Sequence, residues 1–575
     1  MTTARDPAPC RPQAGVREGF VICLGEGETL HLWQKPIDKA SQSRVEVQAA
    51  GGATSALIGA PSDDFVMTTY VAAVEGEVGL AWDEADTLVS LCYAFDPAHV
   101  LEKGIRVLWT REETRANAKR YRLHLAPPFG WMNDPNGLIE IGGLTHVFYQ
   151  HYPHARHWDT MHWGHAVSAN LVDWAQLPVF LHPHPTMLAD PTKAGGAYSG
   201  SAIARAEGGL RIFHTDREDE RQPEQEWQMT AVASDMINAG PSTAVIDRRP
   251  PLPGFGLDFR DPYVFKGPDG LWKMVLGGAD QTAALVLLYE TDAPDAATGW
   301  RFAGVLHRER LDRAVPAECP CVVALDGEGA DLFALVFGLI GHRDPVTNRK
   351  NPSFVLVGRF DGVRFEEIAR RDLDFIGDCY AFQSFVHRSR PVGIAWAANW
   401  ADVRRLQDFP SSMTFPRRLV WKEGWLHMPP VESVFELRGR LVASEAEALM
   451  RGVALPDGLA EIAFTVARRG APFRLELSLA GGSLALTYDG ADLEFTVAPA
   501  PARARMSSSK VKGVTLSDVR LFVDVGLIEI FADGGRWCGV KRVDSDEPIT
   551  AARLVTEPGV LMTAEVWALR PRWGA

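Results

Sequence analysis

Cysteine is scarce and unpatterned in this chain. Of 575 residues only seven are Cys (Cys10, Cys23, Cys92, Cys319, Cys321, Cys379, Cys538), an odd number without framework spacing. That excludes a disulfide scaffold and reads as reduced thiols. Cys319 and Cys321 stand too close together for a zinc knuckle, and no second pair completes one. No apolar run approaches the roughly 20 residues that cross a bilayer. No basic block offsets the net charge of −14, which argues against nucleic acid or an anionic membrane as partner. The first 18 residues hold Arg5, Arg11 and Arg17 among prolines and no apolar stretch, so the expectation is a chain without a secretory leader, located in the cytoplasm. His151, His154, His157, His162, His165, His182 and His184 match no zinc spacing, and no helical His-Glu-x-x-His occurs. The Gly-Gly pairs at 51–52, 142–143, 195–196 and 481–482 read as hairpin turns, none a phosphate loop ahead of a helix. No metal and no cofactor are expected.

What is present is a soluble composition, 46% hydrophobic and 23% charged, with length for about three or four domains. Short apolar runs between turn residues dominate over helical periods, so the fold class is all-β. Residues 1–109 form a β-rich accessory block with strand-like runs at Phe20 to Cys23, Phe65 to Tyr70 and Leu88 to Tyr93. Residues 110–122, opening on the capping-box pattern of Thr110 to Glu113, predict a linker helix. Residues 123–430 show a faint repeat of four strands. Asp134, Tyr198, Asp261, Glu318 and Tyr380 open its five copies, at steps of 64, 63, 57 and 62 residues. Five four-stranded units at this period suit a five-bladed β-propeller. After a linker at 431–441, residues 442–575 alternate cleanly: Phe473, Leu475, Leu477 and Leu479 face one way, Arg474, Glu476 and Ser478 the other. One wet and one buried face at this strand density predict a β-sandwich.

In a propeller the innermost strand of each blade lines a common channel, so repeat starts distant in sequence meet in space. Here they are polar: Asn133-Asp134, Tyr198-Ser199, Arg260-Asp261, Glu318, and Tyr380 with Gln383. Buried carboxylates are costly unless a site uses them, so three of them on three blades point to one pocket. Singly each motif is weak. Asp134 could be an ordinary Asp-Pro-Asn-Gly turn, Asp261 half of a surface pair with Arg260, and Glu318 a solvated residue before a strand. Their joint order and spacing carry the reading.

These motifs resemble glycoside hydrolase family 32, which holds invertases, fructanases and sucrose-6-phosphate hydrolases. The likeness rests on Trp131 to Gly137, Arg260 to Pro262 and Glu318-Cys319, with Phe148 to Gln150, His162 to Ser168, Leu171 to Trp174 and Tyr198 to Ser201, and Val519 to Gly534 in the sandwich. It covers about Leu123 onward; the first 110 or so residues lie outside the family pattern. The resemblance implies a five-bladed propeller and a retaining β-fructofuranosidase. Asp134 would be the nucleophile, Glu318 the acid/base and Asp261 the transition-state stabiliser. Asn133, Gln150, Trp158, Tyr198 and Ser199 would hold the fructosyl unit, with Arg260 and Tyr380 as tuners and Trp396 further out. The scheme requires a raised pKa at Glu318 and a low one at Asp134. Trp131, Trp158 and Trp163 are candidates for stacking on sugar faces. Ala317 before Glu318, Cys321 after Pro320, and Phe382 depart from the family pattern around the pocket.

The expected substrate is sucrose or a short fructo-oligosaccharide. Sucrose-6-phosphate hydrolysis and fructosyl transfer are alternatives on the same fold. Rivals of other kinds are an inverting arabinan- or xylan-cleaving enzyme and a non-catalytic sugar-binding protein. The partner is thus a small sugar rather than nucleic acid or membrane, and a homo-oligomer is compatible with the sequence.

Overall fold

A computed structural model describes residues 17–111, 121–190, 193–328, 331–401, 411–480, 482–499, 507–543, 548–557 and 559–572. Most of the expected linker helix, residues 112–120, lies outside them; Thr110 closes the strand Arg106–Thr110.

The chain divides into two compact units. One comprises the described residues within 1–113 and 183–194, the latter stretch following the strand Ala175–Leu181 in sequence. Its strands make two four-stranded antiparallel sheets. One runs in the order Arg17–Leu24, Gly76–Asp83, Ser43–Gln48, Thr54–Gly59, the other Val66–Val71, Thr29–Pro36, Thr87–Phe95, Arg106–Thr110. Alternation along these strands sends Leu30, Leu32, Val45, Val47, Leu80 and Trp82 into one core.

The second unit holds the propeller and the sandwich. Each of the first four blades is a four-stranded antiparallel sheet whose innermost strand comes first in sequence: Trp131–Ile141, Gly195–Ala204, Phe259–Lys266 and Ala317–Ala324. The fifth blade starts at Tyr380–His387 and shows three strands among the described residues, where four are expected; residues 402–410, between the second and third, lie outside them. Its third strand is only Arg417–Arg418, because the preceding Pro416 has no N–H to extend the ladder. The five inner strands pack side by side in a closed ring, the fifth against the first. Each inner strand is an edge of its own sheet, and packing in a ring leaves those edges short and protected at the axis.

Turn chemistry explains the blade hairpins in part. Gly142 and Gly143 both take positive φ (61° and 82°), as a two-residue hairpin turn requires. Gly195-Gly196 differs from the expectation: the pair opens the inner strand of the second blade. A Cβ on Gly195 would lie 1.9 Å from Arg217 O and one on Gly196 2.5 Å from Met161 N, so close backbone approach explains both glycines.

The sandwich consists of two six-stranded sheets, and its first strand, Arg438–Ala443, already begins within the expected linker. Leu475, Leu477, Leu484 and Leu486 fill the space between the sheets as the alternation predicts.

Candidate active site

The five inner strands share one irregularity. Each slips its register against the second strand of its blade by one residue at a matching position, and the first strand slips once more at Gly137-Leu138. The matching slips fall at Asn133-Asp134, Tyr198-Ser199, Asp261-Pro262, Cys319-Pro320 and Ala381-Phe382. An extra residue on one strand is a β-bulge, which bends the strand and re-aims side chains. Here five bulges around one axis turn the repeat-opening residues toward a common centre. Asp261, Cys319 and Ala381 take positive φ (65°, 48° and 53°), a strained backbone for residues other than glycine. Pro262 and Pro320 fit because bulge residues owe the ladder no N–H.

The three carboxylates meet through Cys319. Its backbone N–H donates to Asp261 Oδ2 (2.8 Å), its thiol reaches Asp134 Oδ2 (3.5 Å), and Glu318 precedes it in the chain. Ser199 Oγ also donates to Asp134 Oδ2 (2.7 Å), leaving Oδ1 without a donor. Glu318 is gripped on both oxygens, by Arg260 Nη1 at Oε1 (2.8 Å) and by Tyr380 Oη at Oε2 (2.9 Å). All three carboxylates are buried, at 9%, 5% and 8% exposure for Asp134, Asp261 and Glu318.

Burial governs their titration. It lifts Glu318 to about 7, opposed by the Arg260 charge and reinforced by Asp134. It lifts Asp261 well above the usual carboxylate range, with the Glu318 charge adding to the effect. Asp134 is raised too, contrary to the low value expected, since desolvation outweighs its hydrogen bonds from Asn133, Ser199 and Cys319. Like charges buried close together oppose one another's ionisation.

The remaining expected residues divide by position. Tyr198 and Trp158 meet edge to face at 6.0 Å, both partly buried. Asn133 Oδ1 accepts from Trp131 Nε1 (2.7 Å), and Gln150 Nε2 donates to Ala197 O (2.8 Å), tying the first blade to the second. Trp396 is not further out. It is fully buried, donates Nε1 to Ser411 Oγ and backs Trp131 at 6.1 Å. Trp163 has no exposed surface for a sugar either, because Phe148 and Phe180 enclose it in the core and its Nε1 donates to Tyr198 O. Trp131, Tyr152, Tyr380 and Trp396, with Trp158 and Trp400 against them, form one aromatic cluster beside the carboxylates.

Several contributors carried no sequence signal. Thr215 Oγ1 accepts from Asp261 N (3.0 Å) and donates to Gln228 Oε1 (2.8 Å), and Gln228 Nε2 donates to Phe259 O (2.6 Å). Gln383, by contrast, was among the polar repeat starts; it spans blades, accepting from Leu138 N and donating to Gly200 O. Gly338, opposite Glu318 in the ladder, leaves room for the Tyr380 ring; a Cβ there would sit 2.6 Å from its Cε2. Glu226 and Asp258 flank Arg260. Among the described residues no group of three His, Cys, Asp or Glu is arranged to hold a metal ion.

Comparison with known proteins places the geometry. Residues 124–430 match the model of the glycosyl hydrolases family 32 N-terminal domain. A sucrose-6-phosphate hydrolase of Zymomonas mobilis is 31% identical over 462 residues, 73% of this chain and 85% of that protein. A glycoside hydrolase family 32 structure from Bifidobacterium adolescentis superposes with a TM-score of 0.84 at 21% identity, covering 97% of this chain and all of that one. That similarity of fold reaches the N-terminal sheets, which the sequence motifs did not. A variant of the Bombyx mori family 32 β-fructofuranosidase in complex with sucrose matches with a TM-score of 0.68 at 24% identity, over 80% of this chain and 96% of that one.

Proposed function

We propose, from the premise that this chain belongs to glycoside hydrolase family 32, that it is a retaining β-fructofuranosidase releasing the terminal fructosyl unit of sucrose or a short fructo-oligosaccharide. The observation that carries the reading is the junction at Cys319, where Asp134, Asp261 and Glu318 from three blades share one buried pocket.

In this reading Asp134 Oδ1 attacks the anomeric carbon while Ser199 and Cys319 hold Oδ2. The glycosidic bond breaks, and its electron pair leaves with the departing oxygen as Glu318 gives that oxygen a proton. A fructosyl ester on Asp134 results. Glu318, now a carboxylate, takes a proton from water; the water oxygen bonds to the same carbon and Asp134 departs. Two displacements retain configuration and need the two carboxyl groups about 5 Å apart. Asp261 accepts from the furanose hydroxyls and favours positive charge on the ring. A Glu318 pKa near 7 leaves much of it protonated at neutral pH, as a general acid requires.

Sucrose is the first reading, and the name of the Zymomonas relative keeps sucrose 6-phosphate as the second. The six described cysteines are free thiols, which supports a reducing, cytoplasmic compartment. The decisive experiment is fructose release from sucrose, with NMR of the first-formed anomer. β-Fructofuranose appearing first supports the scheme; the inverted anomer, or no release from any fructosyl sugar, overturns it.

A further inference from the structure

An arginine in direct contact with Glu318 poses a problem, because a guanidinium at hydrogen-bond distance favours the ionised carboxylate and so weakens a general acid. The surroundings of Arg260 resolve it. Its three nitrogens go to three different carboxylates: Nε to Glu226 Oε1 (2.9 Å), Nη2 to Asp258 Oδ1, and Nη1 to Glu318 Oε1 (2.8 Å). Glu226 is the most deeply placed of the three, at 1% exposure, on the third strand of the second blade, Glu226–Ala233. It also accepts from Phe259 N (2.5 Å) and from Arg217 Nη1 (2.7 Å). Arg217 in turn binds Asp219 and lies over the Tyr198 ring at 5.8 Å.

We propose that Glu226 is a positioning residue for acid catalysis, gripping the inner edge of Arg260 so that one N–H faces Glu318 while most of the guanidinium charge is matched elsewhere. The idea rests on the functional reading above. The charge count supports it: Arg217 and Arg260 are balanced by Glu226, Asp258 and Asp219 before Glu318 is considered. The other groups facing Glu318 are Tyr380, Cys319, Asp134 and Asp261. Without Glu226, Arg260 faces Glu318 with one carboxylate fewer to match its charge, and the half-buried Arg217 loses a partner too. The added positive field favours its ionised form, and Arg260 loses the anchor that fixes its angle.

The test is the pH profile of kcat/KM in Glu226→Gln, on sucrose and on an aryl β-fructofuranoside whose acidic phenol departs with little protonation. The alkaline limb, which reports the general acid, is expected to move down by about one pH unit. The loss on sucrose should grow with pH and shrink on the aryl substrate, and Glu226→Asp should restore part of the limb. An unmoved limb, with the same loss at every pH and on both substrates, overturns the proposal in favour of a structural role. If Glu226→Gln does not fold, Asp258→Asn, altering a half-exposed partner of the same guanidinium, must shift the limb in the same direction or the proposal fails. A wild-type protein that releases no fructose would instead overturn the functional reading.

Discussion

Tyr380 Oη donates to Glu318 Oε2 across two neighbouring blades, from the last paired residue before one bulge to the last paired residue before the next. That hydrogen bond favours the carboxylate, so its loss should act opposite to the loss of Glu226. In Tyr380→Phe the alkaline limb of kcat/KM on sucrose should rise, by about one pH unit if the bond is worth 1.5 kcal/mol. The measurement is a pH–rate series beside the wild type; a downward shift refutes the assignment.

Gly338 tests the same contact through packing. Gly338→Ala places a Cβ 2.6 Å from the Tyr380 ring, which must turn away from Glu318 or shift the strand. Overpacking of this kind costs about 1–3 kcal/mol. The variant should melt earlier and show the limb shift of Tyr380→Phe, and the double variant should shift it no further.

Asp134→Asn and Glu318→Gln should each reduce turnover on sucrose by orders of magnitude while circular dichroism stays that of the wild type. Wild-type rates in either would reject the chemistry. Both carboxyl groups have raised pKa values in the fold, as has Asp261. Such groups add stability when protonated and lose it as pH rises through the folded value. For Glu318 that contribution is complete below 4.5 and gone above about 7. Neutral replacements should therefore stabilise at pH 8. For Asp261→Asn a Tm increase of about 1 °C is expected for each kcal/mol gained, because the unfolding entropy of a 575-residue chain is large. An unchanged or lower Tm would show the charge to be better matched than its burial implies.

A second buried network joins propeller and sandwich. His124 Nδ1 meets Asp524 (2.8 Å) and Nε2 meets Glu529 (3.1 Å), while Arg417 Nη2 donates to Glu529 (2.7 Å), all at almost no exposure. Burial by itself would lower the His124 pKa, but the two carboxylates outweigh it and hold the ring up at about 9. A raised histidine stabilises fully below its ordinary 6.5, and that stability is lost as pH rises through about 9. Thermal melts of the wild type should fall between pH 6.5 and about 9. His124→Gln should start lower, since breaking a buried pair costs about 3–5 kcal/mol, and should flatten that dependence. A wild-type Tm independent of pH over that range would contradict the charged clamp.

Legibility in the sequence followed locality. The sandwich was readable because Phe473 to Leu479 and Leu484 to Tyr488 alternate with period two, and burial on one face produces that pattern directly. The carboxylates were readable through the motifs around Asp134, Asp261 and Glu318. Glu226 was not: it lies 34 residues from Arg260, in a strand whose pattern records only its own blade. Trp396 and Trp163 were misplaced because a tryptophan that stacks on a sugar and one that fills a core are the same letter.

The amino-acid sequence by itself determined the all-β class, the repeat, and the three acids with their order along the chain, since each of these is written in local pattern and residue type. Only the tertiary structure decided how those acids behave. Five register slips around a ring turn them onto one centre, and burial there raises all three pKa values, Asp134 included. Desolvation and neighbouring charge depend on which blades enclose a group, and no stretch of chain carries that information alone.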